Sequence, residues 1–572
     1  MDSWNSECAV SSRTEKPSSD QWHAIDWQKA HRSVRKLQVR IVKAEQEGKR
    51  SKVQTLQRLL TSSFYAKALA VKRVTENQGG RTAGVDGKTW STPNGKWEAI
   101  HSLKRKGYRP LPLKRVYIPK ANGKLRPLSI PTMKDRAMQA LHLLALSPIA
   151  ECKADQNSYG FRPERSCADA MEQCYKVLSK KWSARWILDA DIKSCFDTIS
   201  HEWMLENIPM EKRMLKKWLK AGFMEKNQFY PTKQGTPQGG IASPTLANMV
   251  LDGLEHQVRS CSTLKDHGKG RKSTVDRINL VRYCDDFIVT AKSREILEEK
   301  VKPMIESFLT ERGLSFSEEK TRILSIEEGF DFLGQHVRKY NGTLLIKPAK
   351  KNVQALKDKL KVIFAKMKAA PGWALIRTLN PILRGWAYYH RHIVAKKTFS
   401  DVDEFVYAKL VRWMNRKHPN KSWKWKVRKY FLTDDGWQFH DTDREGKAVR
   451  LFRTQTVIIK RHLKVKSDAN PYDPAWEMYF ERRQEQKMQV RIKPKLRLLY
   501  RRQQGKCPVC QTKITTDTGW HTHHIQEKHL GGKWTTDNLV LLHPNCHRQV
   551  HDQKRSVVQP QQSTNQTAVS FA

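Results

Sequence analysis

Two short apolar segments that carry closely spaced carboxylates constrain the fold of this chain more than any other feature. RYCDDFIVT places Asp285 and Asp286 between two runs of strand-forming residues, and WILDADI places Asp189 and Asp191 two residues apart on a second predicted strand. Side chains two apart in a strand share one face. Together with helical patterns elsewhere, these strands predict an α+β fold that collects acidic side chains from two neighbouring strands.

The adjacent carboxylates also predict a bound cation. NLVRY and FIVT are expected to pair as a hairpin with Asp285 and Asp286 at its tight turn. A turn needs only one Asp or Asn, and adjacent like charges repel unless a divalent cation neutralises them. Two Mg²⁺ ions held by carboxylates from two strands suit in-line phosphoryl transfer. Taken alone, the tetrapeptide YCDD is more typical of an ordinary polar turn.

The charge of the chain favours a nucleic-acid partner. Its 572 residues exceed what one core organises, and 106 Lys and Arg against 57 Asp and Glu give a net charge of +49. Folding does not need such an excess, whereas a polyanion explains it. An anionic membrane surface is the rival, but no apolar run approaches the roughly 20 residues that span a bilayer. The N-terminus lacks the pattern of a secretory signal, so a cytoplasmic protein is expected.

Near the C-terminus, two pairs of metal-binding residues have the spacing of a structural zinc site. CPVC and HPNC form two knuckles, whereas most of the ten cysteines stand alone, as in a reduced compartment. A unit this small needs the metal to fold. The predicted zinc ligands are Cys507, Cys510, His543 and Cys546.

Eight motifs stand in an order that resembles the group II intron-encoded reverse transcriptases, which are multifunctional maturases. The resemblance runs from about Asp26 to His551. In chain order the motifs are RVYIPKANGKLRPLSIP, NSYGFRPERSCADA, DIKSCFDTI, GTPQGGIASPTLANM, YCDD, GLSFSEEKT, FDFLGQHV and LNPILRGWAYYH. Family members commonly have Ala where Cys284 stands, and a small residue there leaves the metal site unaffected.

The resemblance implies a right-hand polymerase with fingers, palm and thumb, a helical N-terminal extension and a zinc-stabilised C-terminal HNH domain of the ββα-metal type. It makes Asp191 and Asp285 ligands of two Mg²⁺ ions, with Asp286 as the third carboxylate. Asp189 and Asp197 are weaker choices, because Asp197 lies at a predicted helix start, where capping is a sufficient role.

The resemblance also implies a nucleotide-binding set. Phe196 matches the steric-gate position, where an aromatic ring disfavours a 2′-hydroxyl, although an ordinary core Phe fits its spacing equally well. The other members are two basic residues that match triphosphate contacts, two residues of the loop against the nascent pair, and two weaker basic candidates: Lys120 and Arg126, Gln238 and Gly239, Arg162 and Lys320.

Between and just beyond the zinc knuckles, HTHHIQEKHLGGKWTTDNLVLLHPNCHRQVH resembles the HNH nucleases. The resemblance makes His524 the general base and gives Asn538 the role of orienting it or contacting the metal. His523 and His547 become ligands of one divalent cation, with His551 as a further candidate. His547 and His551 share a helix face, which supports joint ligation. Many HNH sites have Asp at the position of His523, so the metal is left open, and a zinc-binding DNA module with surplus histidines is the alternative.

Pattern and resemblance together divide the chain into segments. They are a polar leader (1–25), a helical extension (26–90), fingers and palm (91–345), thumb or maturase X domain (346–420), a basic DNA-binding segment (421–500), an HNH domain (501–555) and a disordered tail (556–572). Within the extension, the periodicity from Asp26 to Val74 predicts two helices.

The resemblance implies a protein that binds its own intron RNA and assists its splicing, nicks target DNA with the HNH domain and copies the RNA into cDNA. Its partners would be group II intron RNA, target DNA and dNTPs, without a membrane. It would act in the cytoplasm and on the nucleoid at its target, in a bacterium rather than an organelle. Two alternatives stay open: a maturase with a silent polymerase, disfavoured by intact Asp191, Asp285 and Asp286, and a domesticated reverse transcriptase serving defence, disfavoured by the thumb-like and HNH motifs.

Overall fold

The computed structural model describes residues 18–119, 123, 125–266, 272–432, 438–492, 494–515, 518–552 and 556–559. Most of the predicted leader and tail, and Lys120 with the turn of its hairpin, lie outside these residues. The described helices are α1 (Ser18–His23), α2 (Trp27–Gln46), α3 (Arg50–Ser62), α4 (Phe64–Glu76), α5 (Pro93–Ser102), α6 (Met133–Lys153), α7 (Cys167–Leu178), α8 (Cys195–Thr198), α9 (His201–Asn207), α10 (Lys212–Leu219), α11 (Ser243–Leu251), α12 (Leu254–Ser260), α13 (Lys302–Glu311), α14 (Lys350–Lys366), α15 (Gly372–His390), α16 (Lys396–Lys417), α17 (Trp423–Tyr430), α18 (Glu477–Arg491), α19 (Pro494–Arg502) and α20 (Pro544–Asp552).

The described strands are β1 (Leu113–Pro119), β2 (Leu125–Ile130), β3 (Trp186–Asp191), β4 (Phe223–Glu225), β5 (Gln228–Tyr230), β6 (Leu264–Asp266), β7 (Lys272–Thr274), β8 (Asn279–Tyr283), β9 (Asp286–Ala291), β10 (Arg322–Ser325), β11 (Phe330–Phe332), β12 (Gln335–Tyr340), β13 (Thr343–Pro348), β14 (Phe431–Leu432), β15 (Gln438–Thr442), β16 (Ala448–Arg450), β17 (His521–His524) and β18 (Leu539–Leu542). None of the helices that the structure describes is long and apolar enough to cross a membrane.

These elements form two compact units, each assembled from separate stretches of chain. The first unit comprises Met1–Ala154, Ser194–Asp252 and Asp468–Ala572, and the second comprises Asp155–Lys193 and Gly253–Ser467. Both units combine helices with small sheets, which confirms the predicted α+β class.

The N-terminal extension contains three helices where the periodicity predicts two. The Asp26 side chain caps α2 by accepting a hydrogen bond from the Lys29 backbone N–H at 2.9 Å. Gly48, with a φ of 68°, then separates α2 from α3. Ser63 separates α3 from α4 by adopting an extended ψ of 132°. Only one residue leaves the helical conformation at this second break. The helical spacing of apolar residues therefore continues across Ser63, and the sequence pattern does not reveal the break.

The fingers sheet of the first unit has the strand order β2-β1-β4-β5. β1 and β2 pair antiparallel from Lys114 opposite Ile130 to Pro119 opposite Leu125, so the first quoted motif forms a hairpin. After β2, the Thr132 side chain caps α6 by accepting from the Asp135 N–H at 3.2 Å. This cap fixes the start of α6, a long and largely buried helix that follows the sheet.

The palm sheet of the second unit has the strand order β10-β3-β9-β8, and its pairs are antiparallel. Its interior is largely aliphatic, with Leu188 opposite Val289 and Val281 opposite Ile288. The prediction that Asp285 and Asp286 together form the β8–β9 turn is wrong by one residue. The turn consists of Cys284 and Asp285, because Asp286 already pairs with Tyr283 as the first residue of β9.

The thumb of the second unit extends beyond its predicted end. Helices α14, α15 and α16 share one apolar core that includes Leu379 and Leu410, and the same core contains Tyr430, Phe439 and Leu451. Residues 423–432 and 438–451 therefore pack with the thumb helices, although they fall in the predicted basic segment. The sequence does not reveal this packing, because the stretch is dominated by Lys and Arg. Their charged ends are exposed while the aromatic residues between them pack inward.

Candidate active sites

Three carboxylates meet at one end of the palm sheet. Asp191 is the last residue of β3 and lies directly opposite Asp286, the first residue of β9. Asp285 precedes Asp286 in the two-residue turn. Asp189, two residues before Asp191, faces Ile288 further along the strand. The structure therefore brings together the three carboxylates predicted from the two motifs.

The turn that carries Asp285 is held by close backbone contact. Cys284 has a φ of 61°, in the left-handed region that favours glycine. A Cβ added to Gly160 would lie 2.5 Å from the Cys284 nitrogen and 2.9 Å from the Tyr283 carbonyl carbon. The Tyr159 N–H donates to the Arg282 oxygen at 2.9 Å, so the chain around Gly160 runs along β8 and supports the turn. Gly160 stands in the motif NSYGFRPERSCADA, but no feature of that motif indicates its role.

Below this turn, buried polar groups tie the second unit together. Arg282 is fully buried, and its guanidinium lies 3.5 Å from the Asp155 carboxylate. Arg162 donates to the backbone oxygens of Asp155 and Ser158 at 2.6 and 2.9 Å. The structure thus gives Arg162 a buried structural position, and its predicted nucleotide contact stays a prediction.

The electrostatics of the palm site favour a cation. Desolvation, followed by the Asp285 and Asp191 carboxylates, raises the pKa of Asp286 to about 7. The Asp286 residue is exposed at the start of β9, where it faces the Asp191 carboxylate across the strand pair. The Lys320 ammonium lies 2.5 Å from Asp191 Oδ2, and this hydrogen bond raises the pKa of the lysine. The donor set consists of hard oxygens, which is the chemistry that Mg²⁺ selects.

The predicted nucleotide-binding loop of the first unit is clamped on two sides. The Thr236 N–H donates to the Phe196 oxygen at 2.6 Å, and Gln238 Nε2 lies 3.4 Å from the Asp197 carboxylate. On the other side, the Ser129 N–H donates to the Gln238 oxygen at 2.7 Å. A Cβ at Gly239 would lie 2.7 Å from the Ser129 oxygen, so this position requires glycine. The structure brings Phe196, Gln238 and Gly239 together.

The remaining predicted nucleotide contacts and one anchor of the loop lie on neighbouring elements. Arg126 is exposed on β2, opposite Ile118, while Lys120 lies outside the described residues. Gln139, which the sequence analysis missed, is buried on α6, and its Oε1 accepts from the Ile241 and Ala242 N–H groups at 2.8 and 3.4 Å. It anchors the end of the loop, and no sequence pattern marks a glutamine on a helix for this role.

The C-terminal part of the first unit is a ββα unit with a buried cluster of sulfur and nitrogen donors. β17 and β18 pair antiparallel, and α20 follows. The ligand atoms of the cluster lie within 4.8 Å of one another, and its members are the four predicted zinc ligands, Cys507, Cys510, His543 and Cys546. Burial alone would lower the pKa of His543, but hydrogen bonds to Cys507 and Cys510 raise it to about 10. Four convergent donors of this kind fit a tetrahedral zinc ion.

A second cluster lies between β17 and α20. The ligand atoms of His523, His547 and His551 are within 4.8 Å of one another. Burial, followed by the neighbouring His551 and His523, lowers the pKa of His547 to about 4. The pKa of His523 is lowered by burial and then by His551. These two rings are therefore neutral at pH 7, the form in which histidine binds a metal ion.

His524 points away from that cluster, because it follows His523 in the same strand. Its Nε2 is buried and has no hydrogen-bond partner among the described residues. Its ring lies edge-on to Trp534, with 4.9 Å between the ring centroids. Asn538 accepts from the Gln526 N–H at 2.7 Å and donates to the Lys533 oxygen at 3.0 Å, so its amide holds the loop that follows His524. The catalytic roles of His524 and Asn538 stay predictions, and Trp534 is a neighbour that the motif did not indicate.

Carboxylates on paired strands and a ββα unit with two ligand clusters define a polymerase-type palm joined to a nuclease-type domain. Four family models match consecutive parts of the chain. They are the N-terminal domain of reverse transcriptase (residues 22–103), reverse transcriptase, an RNA-dependent DNA polymerase (118–337), the group II intron maturase-specific domain (353–431) and HNH endonuclease (507–553).

The chain is also similar to individual proteins. It is 32% identical to protein YkfC of Escherichia coli, over 50% of this chain and 83% of that protein. It is 32% identical to the group II intron-encoded protein LtrA of Lactococcus lactis over 43% of this chain, and the match spans half of LtrA. Telomerase of Candida albicans, solved with an RNA fragment, shares 14% identity at a TM-score of 0.34, over 56% of this chain and 60% of that chain, which supports no functional inference.

The chain belongs to the group II intron-encoded proteins that combine a reverse transcriptase, a maturase domain and a C-terminal HNH endonuclease domain. It is an enzyme with the domains of an RNA-directed DNA polymerase and of an HNH endonuclease.

Proposed function

We propose that the chain binds group II intron RNA and assists its splicing, nicks target DNA with its HNH domain, and copies the RNA into cDNA by target-primed reverse transcription. The observation that carries this proposal is the meeting of Asp191, Asp285 and Asp286 at one end of the palm sheet. The matches to the reverse transcriptase, maturase and HNH families support the three linked activities.

In the palm, Asp191 and Asp285 are the proposed ligands of two Mg²⁺ ions, with Asp286 beside them. When bound, these ions would lower the barrier for the attacking 3′-hydroxyl and for the leaving pyrophosphate. Lys320 adds positive charge at the same carboxylates, where the triphosphate of a dNTP would need it. The clamped loop with Gln238 and Gly239 would present backbone to the nascent pair, and Phe196 would exclude a 2′-hydroxyl. Lys120, Arg126 and Arg162 remain proposed contacts to the nucleotide.

In the HNH domain, His523, His547 and His551 are the proposed ligands of one divalent cation, which would polarise the scissile phosphate. His524 would take the proton from the attacking water. Asn538 would keep His524 in place by holding the following loop. The Cys507, Cys510, His543 and Cys546 cluster would hold a structural zinc ion that stabilises the ββα unit.

We propose the segment boundaries given above, except that the thumb extends to about residue 451 and the DNA-binding segment begins after it. The proposed partners are intron RNA, target DNA and dNTPs. The proposed location is the bacterial cytoplasm, and the nucleoid when the protein is on target DNA, which the similarity to two bacterial proteins supports.

The test starts from the purified chain with its bound RNA. Sequencing that RNA should recover an intron with ribozyme domains, and the protein should extend a DNA primer on an RNA template only when Mg²⁺ is present. Recovery of mixed cellular RNA together with absent extension at every metal concentration would contradict the proposal. Extension without intron RNA would instead favour a domesticated reverse transcriptase.

A further inference from the structure

Three side chains form a stacked column on one face of the fingers sheet. The Arg115 guanidinium lies 3.7 Å from the centroid of the Phe223 ring. The Phe223 and Tyr230 rings lie 5.2 Å apart and are nearly parallel, at 13°. Phe223 is paired with both Leu113 and Tyr230, which places the column on the face that Arg115 shares with Leu113. Tyr230 is the last ring of the column and lies on the outer strand β5, where it is 40% exposed.

The hairpin that carries the column is held in a conformation that its residues do not favour. Lys226 and Asn227 connect β4 and β5, and their φ angles are 47° and 65°. Two consecutive left-handed residues are normally an Asn-Gly or Gly-Gly pair, because side chains disfavour this region. The Tyr230 hydroxyl donates to Gln228 Oε1 at 3.0 Å, which fixes the plane of its ring. The column is therefore preorganised, so little side-chain entropy is left to lose on binding.

The stretch of sequence that carries Phe223 and Tyr230 is strongly basic. Between residues 212 and 233 the sequence has one acidic residue, Glu225, and it accepts a hydrogen bond from the Tyr117 hydroxyl at 2.8 Å. The basic residues of this stretch are Lys212, Arg213, Lys216, Lys217, Lys220, Lys226 and Lys233, and all except the half-buried Lys217 are exposed. An exposed ring within such a field suits a partner that combines flat aromatic groups with negative charge.

We propose that Tyr230 stacks an unpaired base of single-stranded RNA, which continues the column, while the surrounding lysines contact the neighbouring phosphates. Stacking on aromatic rings inside a positive groove is how proteins bind single strands without reading sequence. A folded protein partner fits less well, because the basic field would require a matching acidic surface. The inference rests on the proposed function only for the choice of RNA as the strand.

The test measures binding of the full-length chain to a short unstructured RNA at several salt concentrations. Tyr230→Leu keeps apolar bulk but removes the ring, and should weaken binding about tenfold at every salt concentration, since stacking carries no net charge. Tyr230→Phe keeps the ring and should bind within about twofold of the wild type. Lys226→Gln should instead reduce the salt dependence of binding, because it removes a phosphate contact. RNA containing 5-iodouridine should photo-crosslink to the β5 peptide.

Trp182→Leu is the matched control. Trp182 is 64% exposed and stands next to Lys180 and Lys181, so its loss tests whether any exposed ring in a basic stretch behaves like Tyr230. The control should bind as the wild type does, and fully paired RNA should not distinguish Tyr230→Leu from the wild type.

Equal RNA affinity of Tyr230→Leu and the wild type would overturn the inference. A loss seen only with single-stranded DNA, or an equal loss in Trp182→Leu, would overturn it as well. The result is independent of polymerisation: a chain that stacks RNA through Tyr230 but never extends a primer refutes the proposed function and leaves this inference standing. A chain that extends primers while Tyr230→Leu binds RNA normally refutes this inference and leaves the proposed function standing.

Discussion

The palm and the HNH domain both collect side chains that suit cations, but they do so at different distances along the chain. In the palm, Asp191 and Asp285 belong to separate motifs and meet only because β3 pairs with β9. In the HNH domain, His523, His547 and His551 come from one hairpin and the helix that follows it. The palm offers carboxylate oxygens, whereas the HNH domain offers imidazole nitrogens and cysteine sulfurs. The palm site therefore depends on strand register across the second unit, while the nuclease site depends on a small local fold that metal can stabilise.

The largest expected effect separates the two sites through the palm carboxylates. Asp285→Ala should reduce primer extension by at least about 1,000-fold, because it removes a proposed ligand of the ions that would stabilise the transition state. Nicking of target DNA, RNA binding and splicing assistance should stay close to wild type. Primer extension and nicking of the same preparation provide the measurement. An equal collapse of splicing would show that the carboxylates also serve the maturase role.

The converse change addresses the nuclease. His524→Ala should reduce nicking by about 100- to 10,000-fold, the usual range for a lost general base, while cDNA synthesis from a pre-nicked primer is unchanged. A cleavage assay on labelled duplex DNA measures this. His529→Ala is a control in the same domain, since His529 lies in the loop beyond the strand that carries His524. Retained nicking in His524→Ala would remove that residue from the role of base.

A smaller effect tests the dependence of the palm on backbone contact. Gly160→Ala places a methyl group 2.5 Å from the Cys284 nitrogen, so the turn with Asp285 must move. We expect primer extension to fall about 10- to 100-fold, as displacements of about 1 Å at a reacting centre do. The Mg²⁺ concentration for half-maximal activity should rise, and this shift distinguishes a displaced metal ligand from general loss of stability.

Gly385→Ala provides the matched control in the same unit. A Cβ at Gly385 meets nothing within 4 Å, and alanine favours the helix α15 in which it lies. Its extension activity and Mg²⁺ requirement should equal those of the wild type. If Gly160→Ala behaved in the same way, the turn would tolerate the methyl group and the close contact would have no functional role.

The smallest effect concerns a buried histidine away from either cluster. Burial, followed by Arg105, lowers the pKa of His142 to about 4, and its ring packs edge-on against Trp218. Because the folded pKa lies below the unfolded value of 6.5, the contribution of His142 to the free energy of unfolding is fully present above pH 6.5. This contribution is lost as the pH falls toward 4, by roughly 3 kcal/mol at most. Thermal unfolding between pH 7 and 4 should show a weaker pH dependence for His142→Leu. An unchanged dependence, matching that of the exposed His101→Leu control, would contradict this origin.

The residue types at the sites could be predicted from the sequence more fully than the backbone geometry that positions them. The order of motifs indicated Asp191, Asp285 and Asp286, and the palm sheet brings these three together. The turn was misplaced by one residue, because aspartate favours turns over strands, whereas Asp286 is paired with both Tyr283 and Asp191 as part of β9. The left-handed φ of Cys284 is set by its surroundings, among them the close approach of Gly160, which a linear sequence does not display.

Other differences have the same kind of cause. The four proposed zinc ligands were recognisable because a metal ion fixes the spacing of its ligands, and the structure brings all four together. The packing of Tyr430 and Phe439 against thumb helices was not recognisable, since it joins residues far apart in a stretch dominated by Lys and Arg. Gln139 was missed because a buried amide that accepts two backbone N–H groups looks, in sequence, like any helical glutamine.

The discontinuous first unit has a consequence for how the chain matures during translation. All parts of the second unit have left the ribosome once Ser467 has emerged, whereas the first unit still lacks its stretch from Asp468 onward. Domains form as their segments become available, so the first unit is completed only after the residues from Asp468 onward have emerged. A premature stop codon after Ser467 would therefore release a product whose second unit is whole but whose first unit is unfinished, and such a product should be prone to aggregation or degradation rather than behave as a simple nuclease-free enzyme.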